Sequence, residues 1–242
     1  MGKVIAIDGP SGAGKSTVAG ILAQRLGYLY VDTGAIYRSV GWKAKEKNVD
    51  INDSASVKEL CRSIKIKIDN DRIYVDGCDV TGEIRTPEMG MMASKVSAIP
   101  EVRKSLLELQ RGFVKEHDVV MEGRDIGTVV FPEASIKFYI DASVIERGKR
   151  RLDDLIFSRI DSNLQETVKE IIERDYNDTT REIAPLRKAD DSIYIDSTDM
   201  SVDEVVEKML VEISKLKIGF KGQGVKDSSE DLRKQTLEPS NS

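Results

Sequence analysis

Histidine, cysteine and long apolar runs are what this 242-residue sequence has least of, and each scarcity excludes a class of function. His117 is the only histidine, so a Ser-His-Asp arrangement, a histidine pair or a histidine metal cage has no material to work with. It stands between Glu116 and Asp118 just before an apolar run, reads as a loop or surface residue, and is assigned no role. Cys61 and Cys78 are too few for a disulfide framework and are not spaced as metal ligands, so both read as reduced thiols. No window approaches the roughly 18 uncharged apolar residues of a membrane span, and MGKVIAID is not a secretory leader. The expectation is a soluble, cytoplasmic protein with no membrane partner, acting as a monomer. Positive charge is not in excess either. Lysine and arginine number 37 against 42 acidic residues, a formal net charge of -5, so a broad basic surface for polymeric nucleic acid is not expected. Any nucleic-acid-like ligand should be small.

What is present is a hydrophobic fraction of 40%, sufficient for one sizeable core. Five short apolar runs have strand character: VIAID (4–8), LYVD (29–32), DVVME (118–122), IKFYID (136–141) and SIYID (192–196). Helix-compatible segments separate them, and strands that read as continuous apolar runs are those covered on both faces. The fold class is therefore α/β, a parallel sheet between helical layers, with Asp8, Asp32, Glu122, Asp141 and Asp196 at the strand ends where such sheets collect ligands. Residues 62–95 break this pattern. IKIKID, NDR and IYVDGCDVT alternate with period two around an Asn-Asp turn, predicting an inserted β-hairpin, and Thr86 followed by Pro87 caps the helix after it. A second helix is predicted over EVRKSLLELQRGFVKE. Ser201 to Glu204 form a capping box opening a last amphipathic helix, and residues 220–242 are polar enough to read as a mobile tail beyond a domain spanning 1–219.

The strongest signal is GPSGAGKST, in which Gly9, Gly14, Lys15 and Ser16 satisfy GxxxxGK[ST] between a strand and a helix. Backbone N–H groups over Gly9, Pro10, Ser11, Gly12, Ala13, Gly14, Lys15, Ser16 and Thr17, together with the positive end of the helix, form an anion cradle. Lys15 supplies a point charge to the β- and γ-phosphates of ATP, and the Ser16 hydroxyl is the candidate Mg²⁺ ligand. A P-loop alone specifies only nucleotide phosphate. There is no NKxD-like guanine motif and no strand ending in an Asp-Glu pair, which argues against GTPases and motor ATPases.

Arginines fall instead at places that could converge: Arg38 in DTGAIYR, Arg124 in EGRDIG, Arg147, Arg150 and Arg151 in ERGKRR, and Arg174 and Arg181 in ERDYNDTTR. Planar guanidinium groups can hold two mutually repelling phosphates in line. Taken singly each is more commonly a solvated helix residue; Arg38 and Arg124 are the better candidates because they lie just beyond strand ends.

Through GPSGAGKS, DTGAIYR, GEIRT, EGRDIGTVVFP, the ERD…D..R segment and APL, residues 3–216 resemble the bacterial cytidylate kinase family, a group of P-loop nucleoside monophosphate kinases. The resemblance implies a three-layer P-loop kinase fold with a five-stranded parallel sheet, a monophosphate-binding insertion near 62–95 and an arginine-bearing lid near 147–181. It further implies transfer from ATP, with Mg²⁺, to CMP or dCMP. By position it would put Ser94, Arg103 and Asp125 near the cytosine, Arg38, Arg124 and Arg181 on the acceptor phosphate, and Arg174 and Asp178 at the sugar. The implied catalytic set is Lys15, Arg124, Asp125, Arg174 and Arg181. Thr33 stands where the family pattern has serine, which keeps the hydroxyl for an acceptor contact. Two other readings stay open at this stage: a kinase of the same architecture for UMP, AMP or shikimate, and a nucleotide-regulated binding protein.

Overall fold

The computed structural model describes residues 2–69 and 72–216. The Asn70-Asp71 turn and the tail over 220–242 lie outside the described residues.

Strand β1 (Val4–Asp8) takes the first apolar run. Val4 and Ala6 pack into one hydrophobic cluster and Ile5 and Ile7 into another, the alternation of a strand covered on both faces. Helix α1 (Lys15–Leu26) follows and ends at Gly27, β2 (Leu29–Asp32) follows it, and α2 (Thr33–Glu46) begins where the Asp32 carboxylate accepts from the Ala35 N–H. A separate short helix, α3 (Ser54–Ser63), leads to β3 (Ile66–Asp69), β4 (Arg72–Val75) and β5 (Cys78–Asp79). Helices α4 (Pro87–Ser97) and α5 (Pro100–Gly112) precede β6 (Val119–Gly123). The chain continues through β7 (Ile136–Asp141), α6 (Val144–Phe157), α7 (Leu164–Thr180), β8 (Ile193–Asp196) and α8 (Val202–Lys215).

The five expected runs form one sheet in the order β2-β6-β1-β7-β8, and every pairing is parallel. On one face Ile36, Val40, Val102 and Leu106 of α2 and α5 meet Ala6, Val31 and Met121 of the sheet. On the other Val18 and Leu22 of α1 and Val206 and Met209 of α8 meet Ile5, Ile7 and Phe138. Because the chain passes from β1 outward to β2 on one side and later crosses from β6 to β7 on the other, the connections diverge about β1, which opens a crevice at the carboxyl ends of the strands.

Two elements differ from the sequence reading. The expected hairpin is a three-stranded antiparallel sheet, β3-β4-β5. Its last turn runs through Asp76 (φ 50°) and Gly77 (φ 87°), both left-handed, as a two-residue turn between twisted strands requires. The helix predicted to continue to residue 116 ends at Gly112 and tightens into a single turn over Phe113–Lys115. The predicted caps are present: the Thr86 hydroxyl accepts from the Met89 N–H, and Ser201 and Glu204 close a capping box.

Candidate active site

The P-loop is shaped by backbone geometry that side chains would obstruct. Gly9 has φ 152° and a Cβ there would lie 2.0 Å from the Ile140 carbonyl oxygen, while Gly12, at φ 76°, would place one 2.8 Å from the carbonyl of Arg147. The loop is also held from outside. Asp175 of α7 accepts from the Ser11 N–H at 2.8 Å, and Arg147 of α6 donates to the Ser11 carbonyl at 2.9 Å, to the Ala142 carbonyl at 3.0 Å and to Asp175. Arg147 is therefore a brace under the loop.

Lys15 lies 5% exposed with its Nζ donating to the Pro10 carbonyl at 2.6 Å. Burial, together with Arg124 and Arg174, pushes its pKa down from 10.5 to about 7, so a cation here lacks sufficient counter-charge from the protein. Ser16 is exposed at the helix start, and its hydroxyl donates to the Glu122 carboxylate, which also accepts from the Tyr30 hydroxyl at 3.0 Å. Burial and then neighbouring Asp32 push the Glu122 pKa up.

Beyond the lysine the cleft, about 860 Å³ in volume, carries cations interleaved with carboxylates. Arg38 reaches Asp32 at 2.8 Å and Arg124 reaches Asp178 at 2.9 Å. Arg103 donates to Asp125, and Arg181 approaches Asp125 at 3.5 Å and Asp178 at 3.9 Å. Burial alone would raise Asp178, but Arg124 and Arg174 outweigh it and hold its pKa low. Arg174 is the least compensated member. Burial and then Arg124 lower its pKa from 12.5 to about 10, and its Nε has no hydrogen-bond partner among the described residues, a condition shared by Nε of Arg38 and Nη2 of Arg181. Buried guanidinium donors without acceptors call for an anion, because each unmade bond costs about 1–3 kcal/mol.

The loop after β6 owes its position to Asp8. From the end of β1 its carboxylate accepts from the N–H groups of Ile126 at 2.8 Å and Gly127 at 2.7 Å, fixing the segment that bears Arg124 and Asp125. The chain then widens. Val130 N–H bonds to the Asp125 carbonyl at 3.1 Å and Phe131 N–H to that of Ile126 at 2.7 Å, a five-residue step of the kind found at functional sites. Burial pushes the Asp8 pKa from 3.8 to about 6 despite those two donors.

The cleft brings together P-loop residues Ser11 to Thr17 with Thr33, Arg38, Ser94, Arg103, Arg124, Asp125, Arg174, Asp178 and Arg181. Gly9 and Pro10 lie beneath it rather than on its wall. The Thr33 hydroxyl donates to the Glu122 carbonyl at 2.8 Å. Sequence reasoning assigned no role to Asp8 and Glu122, although their places at the ends of β1 and β6 were the available signal. It also gave no role to Arg85 of GEIRT and passed over Met200, Val202 and Phe157, all of which line the same cleft.

A family model described as cytidylate kinase matches residues 5–215. A cytidylate kinase of Geobacter sp. (strain M21) is 46% identical over 212 residues, 86% of this chain and 91% of that protein. One of Carboxydothermus hydrogenoformans is 48% identical over 210 residues, 85% and 95% of the two chains. The structure of a shikimate kinase from Acinetobacter baumannii covers 90% of this chain and 96% of its own, at 16% identity and a TM-score of 0.43, a likeness too distant to bear on what this chain binds.

Proposed function

The chain belongs to the cytidylate kinase family, and from that premise we propose how its cleft carries out such a kinase's reaction, transfer of the γ-phosphoryl group of ATP to CMP or dCMP. The observation that carries the residue assignment is the under-compensated set of buried cations, Lys15 and Arg174 with Arg124 between their fields, joining the P-loop to the arginine-lined half of the cleft. Two sets of phosphates brought together there supply the missing negative charge.

In this reading the N–H groups of the P-loop cradle the donor phosphates, and Lys15 leaves the Pro10 carbonyl for a β- or γ-oxygen. Arg38, Arg124 and Arg181 hold the phosphate of the acceptor, whose oxygen attacks the γ-phosphorus as the bond to the β-γ bridging oxygen breaks and ADP leaves. That oxygen is already ionised, so no general base is needed. Catalysis consists of alignment and neutralisation of charge in the transition state. The side-by-side pair of Arg103 and Asp125 presents donors next to an acceptor, which complements the N4 amino group and the N3 and O2 acceptors of cytosine, with Ser94 beside them. Arg174 and Asp178 lie toward the sugar.

Hard oxygen donors suit Mg²⁺, and an exposed Ser16 hydroxyl next to the Glu122 carboxylate offers such a set. Ser16 would hold the ion, which when bound shields the phosphate charge. No helix among the described residues is long and apolar enough to cross a membrane, and the reading is completed by a cytoplasmic monomer. The test is ADP release with CMP, dCMP, UMP, AMP, shikimate or no acceptor. Release that depends on CMP or dCMP is expected; release independent of any acceptor refutes the assignment.

A further inference from the structure

Ser97, the last residue of α4, is 6% exposed, and its two oxygens accept from two different arginines. Its carbonyl, one of the last four of the helix and so without a donor inside it, accepts from Arg103 Nη1 at 3.1 Å. Its hydroxyl donates to the Ser94 carbonyl at 2.9 Å, which turns the proton away and leaves a lone pair for Arg181 Nη1 at 3.2 Å. Asp125 serves the same two side chains from the other end. One carboxylate oxygen accepts from Arg103 Nη2 and the other stands 3.5 Å from Arg181 Nη2. Two guanidinium groups are thus held side by side although they repel, and burial followed by the charge of Arg103 lowers the pKa of Arg181.

The two arginines differ in how they are fastened. Arg103 is tied to main chain, which no substitution at position 97 removes. Arg181, just past the end of α7, has Nε on the Ala184 carbonyl at 2.7 Å and Nη1 on the Ser97 hydroxyl. Without that hydroxyl, Nη1 keeps the Asp178 carboxylate, 3.9 Å away.

We propose that Ser97 is a positioning residue for the acceptor: its hydroxyl holds the Arg181 guanidinium beside Arg103, so that the arginine from the end of α7 is set in place by the helix that carries Ser94. This rests on the proposed kinase function and goes beyond it, because Ser97 acts through Arg181 and not on a nucleotide. A hydroxyl costs less to bury there than a second carboxylate and leaves the positive charge of Arg181 available to the acceptor phosphate.

The test measures ADP release with CMP and with UMP in wild type, Ser97→Ala, Arg181→Ala and the double variant, taking kcat/KM from the initial slope where saturation is not reached. Alanine suits a helix end and leaves the carbonyl that Arg103 uses, so Ser97→Ala should fold as the wild type does. Its KM for CMP should rise about 5- to 30-fold, with kcat within about threefold and KM for ATP unchanged. The loss in kcat/KM should be equal for CMP and UMP, whereas a displacement of α4 as a whole would carry Arg103 with it and alter the preference between them. Added to Arg181→Ala, the same substitution should cost no more than about twofold. A loss as large without Arg181 as with it overturns the proposal, as does no loss at all, a loss in KM for ATP, or a changed preference between CMP and UMP. A wild type whose ADP release is independent of any acceptor overturns the kinase reading itself.

Discussion

Replacing Asp8 by asparagine should make this protein more stable at neutral pH and a worse catalyst. Asp8 is 4% exposed, and burial pushes its pKa from 3.8 to about 6 although two backbone N–H groups bond to it. A folded-state pKa above the unfolded value means that the native state binds more protons between those limits, so stability is lost as pH rises through that window. The rise amounts to about 3 kcal/mol in total, of which about 2 kcal/mol falls between pH 4.5 and 7.5. Asparagine has the shape of the protonated acid and does not ionise. It keeps one acceptor oxygen and turns an NH₂ toward the second N–H, of Ile126 or Gly127, leaving that donor unpaired. Urea unfolding of both proteins at pH 4.5 and 7.5 isolates the titrating part, because the unpaired donor is common to both pH values. The gap should move by about 2 kcal/mol in favour of Asp8→Asn on going to pH 7.5. Parallel pH profiles would refute the reasoning that this carboxylate is ionised at a cost. The same variant should lose at least tenfold in kcat/KM for CMP, since the loop carrying Arg124 and Asp125 loses one of its two anchors.

Lys15→Ala should lower kcat by about 10²-fold or more while the melting temperature holds or rises, because the side chain removed is a poorly compensated buried cation rather than a packing element; near-wild-type turnover in the ADP-release assay would sink the assignment. Asp125→Asn should cost about 2 kcal/mol in kcat/KM for CMP, roughly 30-fold, and less for UMP, whose O4 can accept from the new amide. Equal losses for the two acceptors would mean that the carboxylate positions Arg103 and Arg181 and does not touch the base.

The sheet was legible because its central strands β1, β6 and β7, buried on both faces, must be written as unbroken apolar runs, and the P-loop because its glycines answer to backbone geometry that no other residue meets. The third strand of the small sheet was equally written, in Asp76-Gly77, but two-residue strands such as β5 carry too few residues to show alternation. Helix α3 escaped although Asp53 caps it by accepting from the Ala55 N–H. Within the site, arginines in phosphate-like contexts could be picked from the chain. That Lys15 is buried, with Arg124 and Arg174 lowering its pKa from far along the chain, shows only once the chain is folded, as does the place of Phe157 in the cleft. Asp8 is the clearest case. A strand-end aspartate says only that a ligand or a loop is near, and that it holds backbone 118 residues away appears only when the chain is folded.

The hydrogen bonds that join Ser11 to Arg147 and Asp175 bear on how members of this family could be recombined. Helices α6 and α7 do not hang from the core by their connecting chain alone; each has a side chain fastened to the same P-loop residue, one to its carbonyl and one to its N–H. This pair of helices transplanted between related kinases would carry its half of that fastening with it. Chimeras cut outside 9–17 and 143–180 together should inherit a matched set, whereas cuts that separate the two segments splice foreign partners at the nucleotide's doorstep, where side chains that look interchangeable one at a time are chosen as a group.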